Sequence, residues 1–339
     1  MSAAHPPKSA ASYRVQDDEL LLDFYKKLLW NRIVPRIPAS IAPNTLTIIG
    51  QICGVLSAVA TAAAVAGQPV FYLLSCFLLL AYLTFDNIDG AHARRTKQCS
   101  PLGEFLDHGL DGIASAGILI LSGFVLGLQG EWLVLLCFLG AFGFTALFWE
   151  QFRTGLLVIP RFSSTEGVTL LVVYQLVRFF IGNPPSLAFS LDTITVGTVL
   201  AFVVLLGYVG AGIPSMQRAY RFGVSPWELV PLAVLMSAQL AFSALGAHAL
   251  IPAATVGLLG ANVTCRLILM RHRGDTHPFI APLMWLTVVP LLVPAIAPNL
   301  WTPTGWAFIS LSIVAIDYGR NLWFGGNELL GRHREARIA

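Results

Sequence analysis

The sequence predicts an all-α, polytopic integral membrane protein with about ten transmembrane helices, preceded by an N-terminal interfacial amphipathic helix. Three observations carry that expectation. Only 12% of the 339 residues are charged and 56% are hydrophobic, whereas a soluble domain has about 25% charged residues. Apolar runs recur from Pro43 onward and mean hydropathy is +0.71, as repeated bilayer crossings of ~20 residues each require. The positive residues also sort to one side of the expected spans. A formal net charge of +3 is small and gives no reason to expect nucleic acid as a partner.

Taken in order, residues 1–16 are rich in Ala, Ser and Pro and predict a disordered tail. Residues 17–37 place Leu21, Phe24, Tyr25, Leu28, Leu29 and Ile33 at helical spacing among Asp23, Lys26, Lys27 and Arg32. That segment is too charged to span and predicts a helix lying in the cytoplasmic interface; a soluble amphipathic helix packed on a partner is the other reading. The polar run Met1 to Glu19 lacks the apolar core of a cleaved signal peptide, so the first span is expected to act as its own insertion signal.

A membrane domain over 40–323 follows. Spans are expected at 44–67, 69–93, 102–128, 131–153, 166–182, 192–217, 226–245, 247–270, 278–297 and 301–322, with 324–339 as a cytoplasmic tail. With the N-terminus inside, every Lys and Arg except Arg178 falls inside or at the inner boundary, which fits the positive-inside rule and places both termini in the cytoplasm. The cysteines Cys53, Cys76, Cys99, Cys137 and Cys265 are scattered, four of them in apolar segments. Without a C-x-x-C pair they argue against a disulfide framework or a zinc site.

Chemistry concentrates between Asp86 and Asp111, in DNIDGAHARRTKQCSPLGEFLDHGLD. Asp86 and Asp89 are three apart, and Asp107 and Asp111 four apart, so each pair projects from one helix face. Charged side chains inside membrane spans are costly and mark function by default. The basic hinge Arg94, Arg95 and Lys97 joins antiparallel neighbours, which brings both pairs to similar depth. Four carboxylates so close repel, and cations relieve the repulsion. Oxygen-only ligands suit hard ions such as Mg²⁺, Mn²⁺ or Ca²⁺, and two divalent ions on shared carboxylates can clamp a diphosphate. The hinge cations suit a phosphate-bearing ligand arriving from the cytosol. Gly90, Ala93 and Gly103 leave room for a nucleotide to approach the backbone.

The stretch resembles the CDP-alcohol phosphotransferase signature, D-x-x-D-G-x-x-A-R-x8-G-x3-D-x3-D, at every defined position: Asp86, Asp89, Gly90, Ala93, Arg94, Gly103, Asp107 and Asp111. ARRT followed by SPLGEFLDHG is similar to the choline/ethanolamine phosphotransferase branch. So are Ala42-Pro43-Asn44 and Trp149-Glu150 with Thr154-Gly155-Leu156, and the clear similarity covers roughly 40–170. The resemblance implies an enzyme that transfers a phospho-alcohol from a CDP-alcohol donor to a lipid acceptor such as diacylglycerol, releasing CMP. It implies two divalent metal ions, Mg²⁺ or Mn²⁺, on Asp86, Asp89, Asp107 and Asp111, and CDP-alcohol contacts from Asn44, Gly90, Ala93, Arg94 and Gly103. The base is His108 or Asp111. Imidazole titrates near neutrality and suits proton removal from a hydroxyl, which favours His108 over a purely structural histidine there. Asn44 serves equally as a plain helix N-cap. A homodimer is expected from the resemblance alone.

Two other functions stand beside this one. A CDP-diacylglycerol donor with a polar acceptor (inositol phosphate, glycerol phosphate or serine) is opposed by ten spans and by the SPLGEFLDHG string. An ion-coupled transporter is opposed by the signature spacing and the basic hinge. Glu104 either meets an amino alcohol's positive charge or faces solvent, and Glu150 and Glu166 are similar cases. His92 is expected at the interface opposite the metal face, His272 and His277 with Asp275 in a solvated turn, and Asp317 with Arg320 as a local ion pair. The NVT triplet at Asn262 falls within a span, where glycosylation is not expected. The active site is expected at the cytoplasmic face, and the short loops lean toward a prokaryotic cell membrane rather than endoplasmic reticulum.

Overall fold

The computed structural model describes residues 14–338 apart from position 277. Of the expected disordered tail, residues 1–13 lie outside the described residues, while Arg14–Asp17 is ordered as a strand, β1. It pairs in parallel with β2, Leu156–Ile159, in the register Arg14↔Leu156 to Asp17↔Ile159. The helical pattern over 17–37 is realised in pieces: α1 (Leu22–Tyr25), a π-helical turn Lys26–Trp30, α2 (Asn31–Ile33) and a 3₁₀ turn Val34–Arg36. Leu22 and Trp30 are buried while Phe24 and Leu28 stay exposed. Pro35 removes a backbone donor where the pieces end.

Among the described residues eight helices are long and apolar enough to cross a bilayer, and the chain is a polytopic membrane protein. They are α3 (Pro43–Val65), α4 (Val70–Thr96), α5 (Pro101–Leu126), α6 (Gly130–Thr154), α7 (Ser164–Ile181), α8 (Val196–Arg221), α9 (Val230–Ala244, lengthened by the 3₁₀ turn Pro226–Leu229) and α10 (Leu250–Arg273). The ninth expected span, 278–297, is not one continuous helix. Pro282, Pro290 and Pro294 divide it into 3₁₀ turns Pro282–Thr287 and Val289–Leu292 and the short α11 (Val293–Ile296), because each proline removes an amide and crowds the preceding turn. The tenth opens α12, Pro303–Ile338, which runs on through the segment expected as a tail.

The centre of the bundle is α10. In its apolar window 83% of residues are buried, against 61% in α6, the next most enclosed. Small residues permit this. A Cβ on Gly112 of α5 would come within 2.7 Å of Ala261, and one on Gly257 of α10 within 2.4 Å of the Ala116 Cβ, so α5 and α10 meet backbone to backbone. From the other side, Tyr318 of α12 donates to the Gly109 carbonyl at 2.8 Å. The helix carrying the second half of the motif is thereby fixed from two directions. Arg178, the cation expected on the outer side, is buried and donates to the Val125 carbonyl and Asn183, both at 2.6 Å.

Candidate active site

Only four residues, 97–100, separate α4 from α5. Lys97 takes a left-handed conformation (φ 59°), and the Gln98 amide closes onto the Ala93 carbonyl at 2.9 Å, so α4 ends in a Schellman-type turn. Ser100 then caps α5 by accepting from the Gly103 amide at 3.0 Å, with Pro101 in the first helical position. This tight, capped hairpin is what sets the two halves of the motif at one depth.

The four aspartates converge from α4 and α5: Asp86, Asp107 and Asp111 share one cavity wall, and Asp89 and Asp107 share another. His108 Nδ1 lies 3.9 Å from Asp107 Oδ2 and 3.7 Å from Asp111 Oδ2, too long for direct hydrogen bonds. Ligand atoms of Asp107, His108 and Asp111 all fall within 4.8 Å of one another. The His108 ring leans against Phe148, with centroids 5.1 Å apart.

Helix α3 supplies partners that the sequence reading missed. Thr47 Oγ1 donates to Asp89 Oδ2 at 2.5 Å, and Gln51 Nε2 donates to Asp111 Oδ1 at 3.1 Å. Asp89 Oδ1 accepts the Gly90 amide at 2.5 Å. Between Thr47 and Gln51, a Cβ on Gly50 would stand 3.0 Å from the Phe85 Cβ, so the absent side chain lets α3 close on α4. A signal was available: Asn44, Thr47 and Gln51, spaced three and four apart, form a polar stripe on an otherwise apolar span.

Among the described residues no Lys or Arg pairs with any of the four carboxylates; their only ion-pair neighbour is His108. An all-oxygen set that would otherwise repel itself fits divalent cations.

Two cavities flank this cluster. The first, about 400 Å³ and termed the polar cavity for its mainly polar lining side chains, is lined by Asn44, Gly90, Ala93, Arg94 and Gly103 together with Asp89 and His272. It gathers all five residues expected on the nucleotide. The second, about 270 Å³, is mainly apolar and is lined by Asp86 and Asp111 with Ile118, Leu119, Phe144 and Phe148. Asp107 and His108 line both. The cavities meet at the centre of the motif.

Several expectations are corrected. His92 is not interfacial: it is fully buried, with Nε2 2.8 Å from the Ile41 carbonyl and Nδ1 3.0 Å from Arg95 Nη2, tying α4 to the chain before α3. His272 is not in a solvated turn but in the last turn of α10, 3.1 Å from Glu104 and facing the polar cavity. His277 lies outside the described residues. Glu104 neither faces solvent nor stands unmatched, since Arg271 and His272 both bond it. Glu150 is fully buried and takes Arg218 through two hydrogen bonds of 2.7 Å. Glu166 caps α7 through the Ser163 amide and accepts from the Leu21 amide at 2.8 Å. The Asp317–Arg320 pair is present at 2.7 Å, and Asn262 is buried beside it, donating to Asp317 at 2.9 Å.

The chain has curated relatives. It is 32% identical to cholinephosphotransferase 1 of Gallus gallus over 208 residues, covering 59% of this chain and 61% of that protein. With the Mus musculus cholinephosphotransferase 1 it shares 31% over 239 residues, 65% and 58% of the two chains. With an uncharacterised CDP-alcohol phosphatidyltransferase class-I family protein of Dictyostelium discoideum it shares 26% over 299 residues, 83% and 71%. The chain thus spans under two thirds of the length of these cholinephosphotransferases. Residues 40–206 match the CDP-alcohol phosphatidyltransferase description. That segment holds the α3 stripe, the capped hairpin and all four convergent aspartates, and the chain belongs to the CDP-alcohol phosphatidyltransferase family.

Proposed function

We propose that the protein transfers a phospho-alcohol of the phosphocholine or phosphoethanolamine type from a CDP-alcohol to a lipid hydroxyl such as that of diacylglycerol, releasing CMP. The observation that carries this reading is the meeting of a polar and an apolar cavity at Asp107 and His108. A reaction between a water-soluble nucleotide and a bilayer-soluble alcohol needs two such compartments with one shared wall. The cholinephosphotransferase relatives support a choline-type donor.

In this reading the nucleotide and its phosphates seat in the polar cavity against Asn44, Gly90, Ala93, Arg94 and Gly103. Ala93 and Gly103 keep that wall low, and the exposed Arg94 brings positive charge to its rim. Asp86, Asp89, Asp107 and Asp111 would hold two Mg²⁺ or Mn²⁺ ions, which supply charge neutralisation on the transferred phosphate and on departing CMP. Thr47 and Gln51 keep two of those carboxylates aimed inward. The acceptor lies in the apolar cavity with its hydroxyl toward His108, which removes the proton as the oxygen attacks the phosphorus that bears the alcohol. The bond from that phosphorus to CMP then breaks. His108 is favoured over Asp111 because Asp111 is assigned to the ions in this reading and its Oδ1 already accepts from Gln51. The sorting of Lys and Arg supports a site facing the cytoplasm, the short loops support a prokaryotic cell membrane, and a homodimer rests on the family resemblance.

The test is a donor and acceptor panel with purified protein in lipid nanodiscs. CDP-choline, CDP-ethanolamine and CDP-diacylglycerol are offered against diacylglycerol and polar acceptors, reading CMP and lipid product. Mg²⁺-dependent CMP release matched by phospholipid from one of the first two donors is expected. Folded protein that releases CMP only from CDP-diacylglycerol, or from no donor, refutes the reading.

A further inference from the structure

One end of the apolar cavity is built from two segments distant in sequence. Leu157, Ile159, Phe162 and Ser163, from the connection between α6 and α7, line it, and so does Glu19 from the N-terminal segment. The two are bound by more than the β1–β2 pairing. The Asp18 amide donates to the Ile159 carbonyl at 3.2 Å and the Leu21 amide to Glu166 Oε1 at 2.8 Å. Ser163 Oγ donates to Glu19, and Tyr25 OH bonds Thr169 Oγ1 at 2.9 Å.

Apolar burial anchors only the C-terminal part of this segment, through Leu22 and Tyr25, and does not explain the docking of residues 14–19. A two-stranded sheet of four residues a side is marginal by itself, and β1 reads Arg-Val-Gln-Asp, with Val15 exposed. Polar ties hold the mainly polar residues 14–19 across the end of an apolar chamber. Because α4 ends and α5, β2 and α7 begin at that same end of the bundle, the segment lies on the side of the chamber that carries the motif.

We propose that residues 14–25 are a strap that keeps water out of the apolar cavity, and so decides that the donor is attacked by a lipid hydroxyl and not hydrolysed. This rests on the transfer reading above. With the nucleotide filling the polar cavity, the aqueous path left to the reacting phosphorus runs past the strap through the apolar cavity. Water entering there would give its proton to the same base and attack the same phosphorus. The bond to CMP would break as before, and the products would be CMP and the free phospho-alcohol. Exclusion of water is a general means of suppressing such hydrolysis. The strap itself supplies no group to the chemistry.

The experiment reads the product ratio in the full chain. The double variant Glu19→Ala/Tyr25→Phe removes two side-chain ties and no residue of the proposed metal, base or nucleotide set. The share of CMP arising by hydrolysis should rise up to about 30-fold, the population factor of two lost hydrogen bonds of about 1 kcal/mol each, with free phospho-alcohol accounting for the difference and the donor KM unchanged. A second reading does not depend on turnover. Ser115 lines the cavity; in a Cys99→Ser background, Ser115→Cys should react with a charged, water-soluble maleimide up to about 30-fold faster once both strap ties are removed. A double variant that elutes as folded protein but keeps both the product ratio and the labelling rate of its parent overturns the strap. Activity that falls while every CMP remains matched by a phospholipid overturns it as well. Should the parent release no CMP from any donor, the transfer reading fails, and the maleimide rates still decide whether the strap is a barrier.

Discussion

Thr47→Val isolates one hydrogen bond at the four-aspartate cluster. The side chain is 5% exposed, and its hydroxyl donates to Asp89 at 2.5 Å, far better placed than its 3.5 Å approach to the Pro43 carbonyl. Valine replaces the hydroxyl with a methyl of nearly the same shape, so packing changes little while Asp89 Oδ2 loses its donor. A hydrogen bond to a charged group contributes about 1.5–3 kcal/mol, and removing an outer partner of a metal ligand typically weakens metal binding by about 10–100-fold. The two estimates agree, since ~1.4 kcal/mol is a factor of ten. The Mg²⁺ concentration giving half-maximal CMP release should therefore rise about 10–100-fold, and saturating Mg²⁺ should restore the rate. Thr47→Ser, which keeps the hydroxyl, should track the parent. The assay is CMP release in nanodiscs across a Mg²⁺ titration. An unchanged half-point, or a loss that no amount of Mg²⁺ recovers, refutes the assignment of Thr47 as the residue that aims Asp89.

Three further outcomes follow from the same geometry. His108→Gln should slow CMP release by about 10²–10⁴-fold while Mg²⁺-dependent donor binding, read by calorimetry, persists; loss of binding would instead mark a structural histidine. Glu150→Ala strands Arg218 beside a fully buried position and should destabilise by about 3 kcal/mol, read as a lowered melting temperature in detergent that Glu150→Ala/Arg218→Met largely recovers. Gly257→Ala drives a methyl against Ala116 and should cost about 1–3 kcal/mol, with Ala116→Gly restoring stability by moving the methyl across the α5–α10 seam.

How far the site was legible depends on sequence distance. Asp86 to Asp111 could be read directly because both carboxylate pairs lie in one capped hairpin, where helical spacing and a short turn dictate the geometry. Thr47 and Gln51 contact aspartates 42 and 60 residues away, and His272 reaches Glu104 across 168; no local rule announces such pairs. The central position of α10 was hidden for a different reason. In a membrane protein the lipid-facing and buried surfaces are both apolar, so hydropathy counts spans without ranking their burial. Residue size carries that information: Ala253, Gly257 and Ala261 recur at four-residue spacing along α10. The prolines that divide 278–297 were visible too, but the length of the apolar run outweighed them.

Charge pairing near the site separates structure from chemistry. Glu104 is met by Arg271 and His272, Glu150 by Arg218, and Glu228 by Arg153. Asp86, Asp89, Asp107 and Asp111 have no such cation among the described residues, so the cluster holds four carboxyl groups whose full ionisation two divalent ions would balance. This makes the effect of one charge depend in sign on metal. With EDTA present, Asp86→Asn replaces one of four carboxyl groups crowded in a partly buried set, whose ionisation is mutually unfavourable; the variant should melt a few degrees above the parent, about 1 kcal/mol or more. With saturating Mg²⁺ it has lost a ligand, and bound metal stabilises the folded state by mass action, so the order of melting temperatures should reverse. Thermal unfolding of both proteins in detergent, with EDTA and with Mg²⁺, gives the comparison. If Asp86→Asn is the less stable protein in both conditions, Asp86 owes its place to packing or to a protein partner, and the two-ion reading of the cluster fails at that residue.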